Sequence, residues 1–448
     1  MLKTFSLGGI HPEENKLTTD RAIELLPVPP VVMVPVTQHI GAPAKVEVKK
    51  GDKVKVGQVI AAAGGMVSAN IHSPVSGTVN KIDEIVDASG YRRTAIIIDT
   101  EGDEWEEGID RSSDIKRELT ASPEEIIKGI AEAGIVGLGG ATFPSHVKLT
   151  PPPGRKCEVL IINGVECEPY LTGDHRLMLE KGEEIIIGIQ LLMRALSVKK
   201  AIIGIENNKP DAISRMQGLC NGKEGISVQP LKVKYPQGGE KQLIDACIGR
   251  QVPSGKLPIE VGAVVHNVGT AFAVYEAIQK NKPLVERVVT VTGKSVAKPG
   301  NFLCRIGTPI SALIEAAGGL PKDTSKIISG GPMMGKALTS TDVPVVKGSS
   351  GILLIPEEIA IRPTHQACIR CSKCVSACSM GLSPYLLMTL SEKAMWEQAE
   401  EEKVLDCIEC GSCSFICPAG RPLLDYIRLG KNKVGQLARK RTAQVQKN

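Results

Sequence analysis

At 448 residues, 42% hydrophobic and 23% charged, the chain has a globular composition and room for about three domains of ordinary size. A net charge of +5 is mild for a phosphate-backbone binder, and 3% aromatic content leaves little for base stacking, so no nucleic-acid partner is expected. No run reaches the ~18 apolar residues of a membrane span, residues 25–36 are broken by Pro27, Pro29, Pro30 and Pro35, and residues 1–11 lack the apolar core of a secretory signal.

Residues 31–99 read as short β-strands. Residues 46–60 alternate apolar and polar side chains around the turn Gly51-Asp52, and residues 71–79 follow in the same style. These two segments resemble the lipoyl/biotinyl hammerhead module, in which a hairpin tip presents a Lys for the prosthetic group. The tip here, Gly64-Gly65-Met66-Val67-Ser68-Ala69-Asn70, has no Lys, so a structural or docking module is expected rather than a swinging arm. Residues 105–119 are charged and read as a linker. Ser122-Pro123-Glu124-Glu125 then predicts a helix to Gly134, with Ser as cap, Pro in the first turn and Glu125 closing a capping box. Buried-type strands at 159–162, 201–205 and 226–235 alternate with predicted helices at 176–194 and 211–219. Continuous apolar strands separated by helices indicate a parallel sheet covered on both faces. Residues 288–293 and 310–317 predict a strand and a helix that resemble the soluble-ligand-binding β-grasp module, followed by a turn-rich loop at 329–335.

Eight of the 13 cysteines fall in two copies of one spacing: Cys368-x2-Cys371-x2-Cys374-x3-Cys378, and Cys407-x2-Cys410-x2-Cys413-x3-Cys417 followed by Pro418. This is the ligand run of a two-cluster [4Fe–4S] ferredoxin, in which three close thiolates grip one cubane and the fourth crosses to the other. Cys368, Cys371, Cys374 and Cys417 should hold one cluster, and Cys407, Cys410, Cys413 and Cys378 the second. Zinc also takes Cys pairs, but two runs of four, one closed by Pro, fit it poorly. The helical reading of residues 385–403 favours a helical ferredoxin like that of succinate dehydrogenase. The other five, Cys157, Cys167, Cys220, Cys247 and Cys304, have no framework spacing and read as free thiols. Lys431, Lys433, Arg439, Lys440, Arg441 and Lys447 gather late in the chain, as a solvated tail or as a contact for an anionic membrane surface or acidic partner.

The second chemical feature is the glycine-rich segment 134–144, with Gly137, Gly139, Gly140 and Phe143. Glycines let backbone N–H groups approach a phosphate. A helix rather than a strand precedes it, so it is not a dinucleotide fingerprint. It has company in Asn163-Gly164-Val165-Glu166-Cys167-Glu168, Tyr235-Pro236-Gln237-Gly238-Gly239-Glu240 and His266-Asn267-Val268-Gly269-Thr270. The first two follow predicted strands, and parallel sheets bind ligands at those carboxyl ends. The four segments, in this order, resemble the flavin- and NADH-binding subunit of respiratory complex I. With the opening Phe5-Ser6-Leu7-Gly8-Gly9-Ile10-His11-Pro12 and Cys407-Ile408-Glu409-Cys410, the whole chain resembles the RnfC family of the Rnf ion-translocating electron transport complexes.

That resemblance implies a multidomain α/β chain. A hammerhead (barrel-sandwich hybrid) β domain is expected over 1–105, a Rossmann-like parallel α/β flavin/NADH domain over 120–282 and a β-grasp module over 283–345. A helical two-cluster ferredoxin domain over 360–430 and a basic tail over 431–448 complete it. The expected cofactors are two [4Fe–4S] clusters and non-covalent FMN, with NADH as substrate. By the resemblance, Gly137, Gly139, Gly140 and Lys148 line the flavin, and Asn163, Glu166, Tyr235, Gly238 and Asn267 complete its pocket. Phe143, Glu168 and Glu240 face NADH, the aromatic ring by stacking and the carboxylates by receiving hydroxyls; loop carboxylates satisfied by backbone are the alternative for the two acids. Leu138 stands where Arg is usual, Val165 and Gly239 replace acidic residues, and Ser379 follows Cys378 where Pro is typical.

NADH gives up two electrons as hydride and a cluster accepts one, so a flavin belongs between them. The expected function is therefore the peripheral electron-input component of an ion-translocating NADH:ferredoxin oxidoreductase. Such a component sits on the cytoplasmic face of the cell (inner) membrane beside membrane-embedded and iron–sulfur partner subunits. The alternative is an iron–sulfur scaffold with no NADH or flavin activity of its own. The corresponding component of the related Na+-pumping quinone reductase lacks the cluster runs.

Overall fold

A computed structural model describes residues 2–362 and 364–445; Met1, where the first expected region begins, and Lys447 of the expected basic tail lie outside them. The strands Val31–Pro35, Arg92–Thr100, Gly77–Val86 and Lys53–Val54 form one antiparallel sheet, and Lys45–Val46, Val59–Ala62 and Ile71–His72 form a second. Alternation buries Val32, Val34, Ile60, Val79, Ile96 and Ile98 between them. The Lys-free tip connects Val59–Ala62 to Ile71–His72 and is pinned. Asn70 Nδ2 donates to the Glu132 carbonyl at 3.1 Å, and Lys347, only 1% exposed, donates to the carbonyls of Asn70 at 2.6 Å and Gly134 at 2.7 Å.

The leading residues do not join the hammerhead. Lys3 bridges to Leu231 and Ile10 to Tyr235, and Ile23–Leu25 lies parallel to residues 301–303 at the edge of the β-grasp sheet.

The helix Pro123–Glu132 carries the capping box, with Ser122 and Glu125 bonded reciprocally. It flanks a four-stranded parallel sheet in the order Ile226–Leu231, Ala201–Glu206, Val159–Asn163, Ala263–Asn267. Helices on both faces bury it, within the largest hydrophobic cluster on one side and a smaller one on the other. The helix expected over 176–194 is two, Gly173–Glu180 and Gly182–Ala195, because Lys181 leaves helical geometry at φ −121°, ψ 25°. The strand expected to reach residue 235 ends at Leu231; Lys232 N turns instead to the Lys3 carbonyl, and Tyr235 pairs with Ile10.

The β-grasp module is a six-stranded mixed sheet. One of its inner strands, Gly351–Pro356, follows the expected boundary at 345 and lies between Glu286–Thr292 and Thr324–Ser329. In the ferredoxin module, the expected helical insert is broken by Ala394 at φ 56° into Pro384–Glu392 and Trp396–Glu401. Residue 431 falls inside the helix Leu423–Val445, so the expected tail is helical at least to Val445. Two of its cations are used internally, Lys431 on the Cys407 carbonyl at 2.7 Å and Arg441 on Glu400. Among the described residues no helix is long and apolar enough to cross a membrane.

Candidate functional site

Strand order reverses between Val159–Asn163 and Ala263–Asn267, since the two strands after the first lie on one side of it and the last on the other. A crevice at the carboxyl ends of such a switch point is where open α/β sheets bind ligands. Asn163 and Asn267 sit there in register. Asn267 Nδ2 donates to the Asn163 carbonyl at 3.3 Å and to Asp174 Oδ2 at 2.6 Å, while its Oδ1 caps the helix Val268–Lys280 through Gly269 N at 2.8 Å. Asn163 Nδ2 donates to the Gly238 carbonyl at 2.8 Å, which carries the 235–240 loop to the same crevice.

The glycine-rich loop crosses this point. Gly139 packs on Asn267, whose Cβ would be 3.2 Å from an added methyl. Gly140, at φ +140°, has nothing within 4 Å of such a methyl, so backbone faces an open space there. Leu138 is buried, its N–H donating to Thr270 Oγ1 at 2.9 Å and its carbonyl accepting from Arg287 at 3.4 Å, so no polar side chain reaches the crevice from this position. Lys148 Nζ donates to Glu240 Oε1 at 2.7 Å and to the Val265 carbonyl at 3.1 Å. Both ring nitrogens of His266, near Lys148, are buried with no protein partner. Burial and then the nearby Lys148 charge lower His266 to about 3, so its ring is neutral. An open glycine backbone and a cation fit an anionic ligand such as a flavin phosphate.

The expected residues therefore divide. Gly139, Gly140, Phe143, Lys148 and Glu240 are partly or fully accessible at the crevice. Asn163, Gly238 and Asn267 frame it, and Gly137 closes the loop through its N–H to the Phe143 carbonyl at 2.8 Å. The two acids of 166–168 turn away. Glu166 accepts from the N–H groups of Asp174 at 2.8 Å and His175 at 3.1 Å, at the start of Gly173–Glu180. Glu168 accepts from Met334 N at 2.8 Å and Met333 N at 3.1 Å in the β-grasp loop, and burial raises its carboxyl to about 7. Both are backbone-satisfied, the alternative named for Glu168, because the chain between them is tied down by Lys16. That ammonium donates to the carbonyls of Glu166, Glu168 and Leu171 at 2.8, 2.9 and 2.6 Å. Nothing in the local pattern around Lys16, Asp174 or Arg287 announced these contacts.

Tyr235 also leaves the crevice, its hydroxyl beside the Glu168 carboxylate. It is 2% exposed and its hydroxyl donates to the Cys410 carbonyl at 2.8 Å. Cys378, Cys407, Cys410 and Cys413 line one apolar cavity, which is the crossed ligand set expected for the second cluster. No three His, Cys, Asp or Glu side chains among the described residues converge on a single-ion site. Cys368 and Cys371 are exposed, while Cys374 and Cys417 are half-buried against the module's core.

Comparison with known proteins gives four family matches: the RnfC barrel sandwich hybrid domain over residues 3–103, the Nuo51 FMN-binding domain over 130–276, the SLBB domain over 288–337 and the 4Fe-4S dicluster domain over 358–418. The chain is 47% identical to the C subunit of the proton-translocating ferredoxin:NAD(+) oxidoreductase complex of Clostridium ljungdahlii, over 97% of this chain and 94% of that one. It is 43% identical to the Na(+)-translocating counterpart of Acetobacterium woodii, over 95% and 96%, and 42% identical to the C subunit of the ion-translocating oxidoreductase complex of Rhodobacter capsulatus, over 97% and 84%. Among solved structures, an NAD+-reducing [NiFe]-hydrogenase in the H2-reduced state matches with a TM-score of 0.49 and 19% identity, over 70% of this chain and 63% of that one.

Proposed function

The chain belongs to the RnfC family, found in ion-translocating ferredoxin:NAD(+) oxidoreductase complexes, and on that premise we propose that it exchanges electrons between NADH and a partner subunit through FMN and two [4Fe–4S] clusters. The observation that carries this reading is Tyr235, which sits in the loop bordering the flavin crevice and bonds the backbone of the cluster ligand Cys410. A loop that borders one redox site and bonds a ligand segment of the other joins the two.

FMN supplies the two-electron to one-electron conversion that NADH and iron–sulfur clusters require. The chain's residues supply the rest. The backbone of Gly139 and Gly140 would hold the FMN phosphate, and Lys148 would compensate the charge. When Lys148 turns to an anionic ligand, Glu240 is released to accept ribose hydroxyls of the dinucleotide. Phe143 offers a ring face at the same mouth. Glu166 and Glu168 hold the crevice's wall and contribute no direct contact to NADH. Cys378, Cys407, Cys410 and Cys413 bind the cluster nearer the crevice, and Cys368, Cys371, Cys374 and Cys417 the outer one, so the exposed side faces the partner. The protein lies on the cytoplasmic face of the membrane against the complex's membrane-embedded and iron–sulfur subunits.

Anaerobic purification tests the reading. Flavin absorbance, iron content and NADH-dependent reduction of an artificial acceptor should appear together. A preparation with full iron but neither flavin nor NADH oxidation returns the chain to a cluster-only scaffold.

A further inference from the structure

Residues 3–12 are left without a task by that function, yet they are anchored at almost every position. On the flavin domain, Lys232 N donates to the Lys3 carbonyl at 2.9 Å and Thr4 Oγ1 to Gln237 Oε1 at 2.8 Å. Phe5 is 2% exposed beneath the Lys234 ammonium, 4.1 Å from its ring centre. Ser6 donates to Asp245 Oδ2 from both N and Oγ at 2.8 Å, and Ile10 and Tyr235 exchange both backbone bonds at 2.9 Å. On the ferredoxin module, Gly9 N donates to the Ala377 carbonyl at 3.0 Å. Gly8, at φ +67°, lies so close that an added methyl would stand 2.5 Å from the Cys378 carbonyl and 2.7 Å from Ser379 N. Gln242 of the flavin domain reinforces the same loop, donating to the Ser379 carbonyl at 3.2 Å.

The segment thus touches both halves of the cavity's ligand set: Cys378 directly, and Cys410 through Tyr235. A strand bonded to two bodies at once fixes their separation, and redox and catalytic centres lose rate quickly when their supporting shell loosens. We propose that residues 3–12 are a positioning strap that sets the distance between the flavin crevice and the Cys378/Cys407/Cys410/Cys413 cavity, with Gly8 as the positioning residue that permits the close approach. The proposal rests on electrons passing between those two sites.

The test uses the full chain loaded with flavin and clusters, as wild type, Gly8→Ala and Asp245→Ala. Asp245→Ala unfastens Ser6 at the surface and leaves the Cys378 loop untouched. Four quantities are read: iron content, NADH:ferricyanide reduction at the flavin, NADH-driven bleaching of the clusters in stopped flow, and amide exchange of residues 377–381 without NADH. Both variants should exchange at 377–381 at least about tenfold faster and bleach at least about tenfold more slowly, with ferricyanide reduction unchanged and Asp245→Ala at full iron. Bleaching within twofold of wild type in Asp245→Ala, despite faster exchange, overturns the strap while sparing the function. Unchanged exchange at 377–381 overturns it equally. If Gly8→Ala loses iron, Asp245→Ala alone decides. A wild type that never bleaches with NADH overturns both.

Discussion

Glu168→Gln separates the two tasks open to this carboxylate. Its oxygens accept from Met334 N at 2.8 Å and Met333 N at 3.1 Å. Hydrogen bonds to a charged acceptor contribute ~1.5–3 kcal/mol each. Glutamine offers one acceptor oxygen and turns its NH2 toward the other amide, so one of the two bonds is lost. The 330–335 loop should then open more easily by ~1.5–3 kcal/mol, which at 1.36 kcal/mol per tenfold is roughly 10–150-fold faster amide exchange. Because burial raises the carboxyl to about 7, the comparison belongs at pH 8, where the wild-type group is ionised. Exchange followed by mass spectrometry at Met333 and Met334, beside the KM for NADH, is the assay. Unchanged exchange together with a tenfold rise in KM would refute the loop-anchor assignment and restore a direct role toward NADH.

Three further outcomes follow from the same structure. Burial holds the Lys347 ammonium down to about 7 from its ordinary 10.5; between those pH values the unfolded chain binds a proton that the folded chain does not, so stability rises with pH there and is flat below. The gap corresponds to about 5 kcal/mol at most, a ceiling because the Asn70 and Gly134 carbonyls favour the charged form; Lys347→Met should lessen the rise in thermal midpoint from pH 7 to 10, to which buried Lys16, lowered to about 8, also contributes, and equal slopes in both proteins would count against it. Cys378→Ser should remove the cavity cluster and about half the iron, and near-complete iron by chemical analysis would contradict the crossed ligand set. Lys148→Met should weaken flavin retention by roughly 10–100-fold, the worth of one charge-assisted bond, measured by release on dilution; unchanged retention would remove Lys148 from the phosphate site.

Features whose cause is local were legible in the sequence. The Ser122–Glu125 capping box, the buried strands Val159–Asn163 and Ala201–Glu206 and the two cysteine runs each carry their reason within a few residues. Chemistry at the crevice was legible as residue types, but direction was not. Glu166 and Glu168 have the composition of a dinucleotide site, and it takes Lys16 and the Met333–Met334 amides, distant in sequence, to turn them inward. The β-grasp strand Gly351–Pro356 lay past the expected module boundary because a central strand added late in the chain pairs with strands long before it, and the junction lysine Lys347 because its partners belong to other domains. The unpartnered ring nitrogens of His266 had no periodicity or spacing to mark them.

The pairing of Gly9 with Ala377 also bears on how the chain is made. Phe5 and Ile10 find their partners as soon as the residue 226–235 region has folded, but Gly8 and Gly9 wait until residues 377–379 have been made. Until then the growing polypeptide carries a hydrogen-bonding backbone with no counterpart, the kind of surface that proteases and other nascent chains engage. Closure of that seam requires a folded cysteine module, so folding around residues 377–379 is registered physically at residues 8–9. A chain that fails to build its iron-binding module leaves Gly8 and Gly9 without their partners.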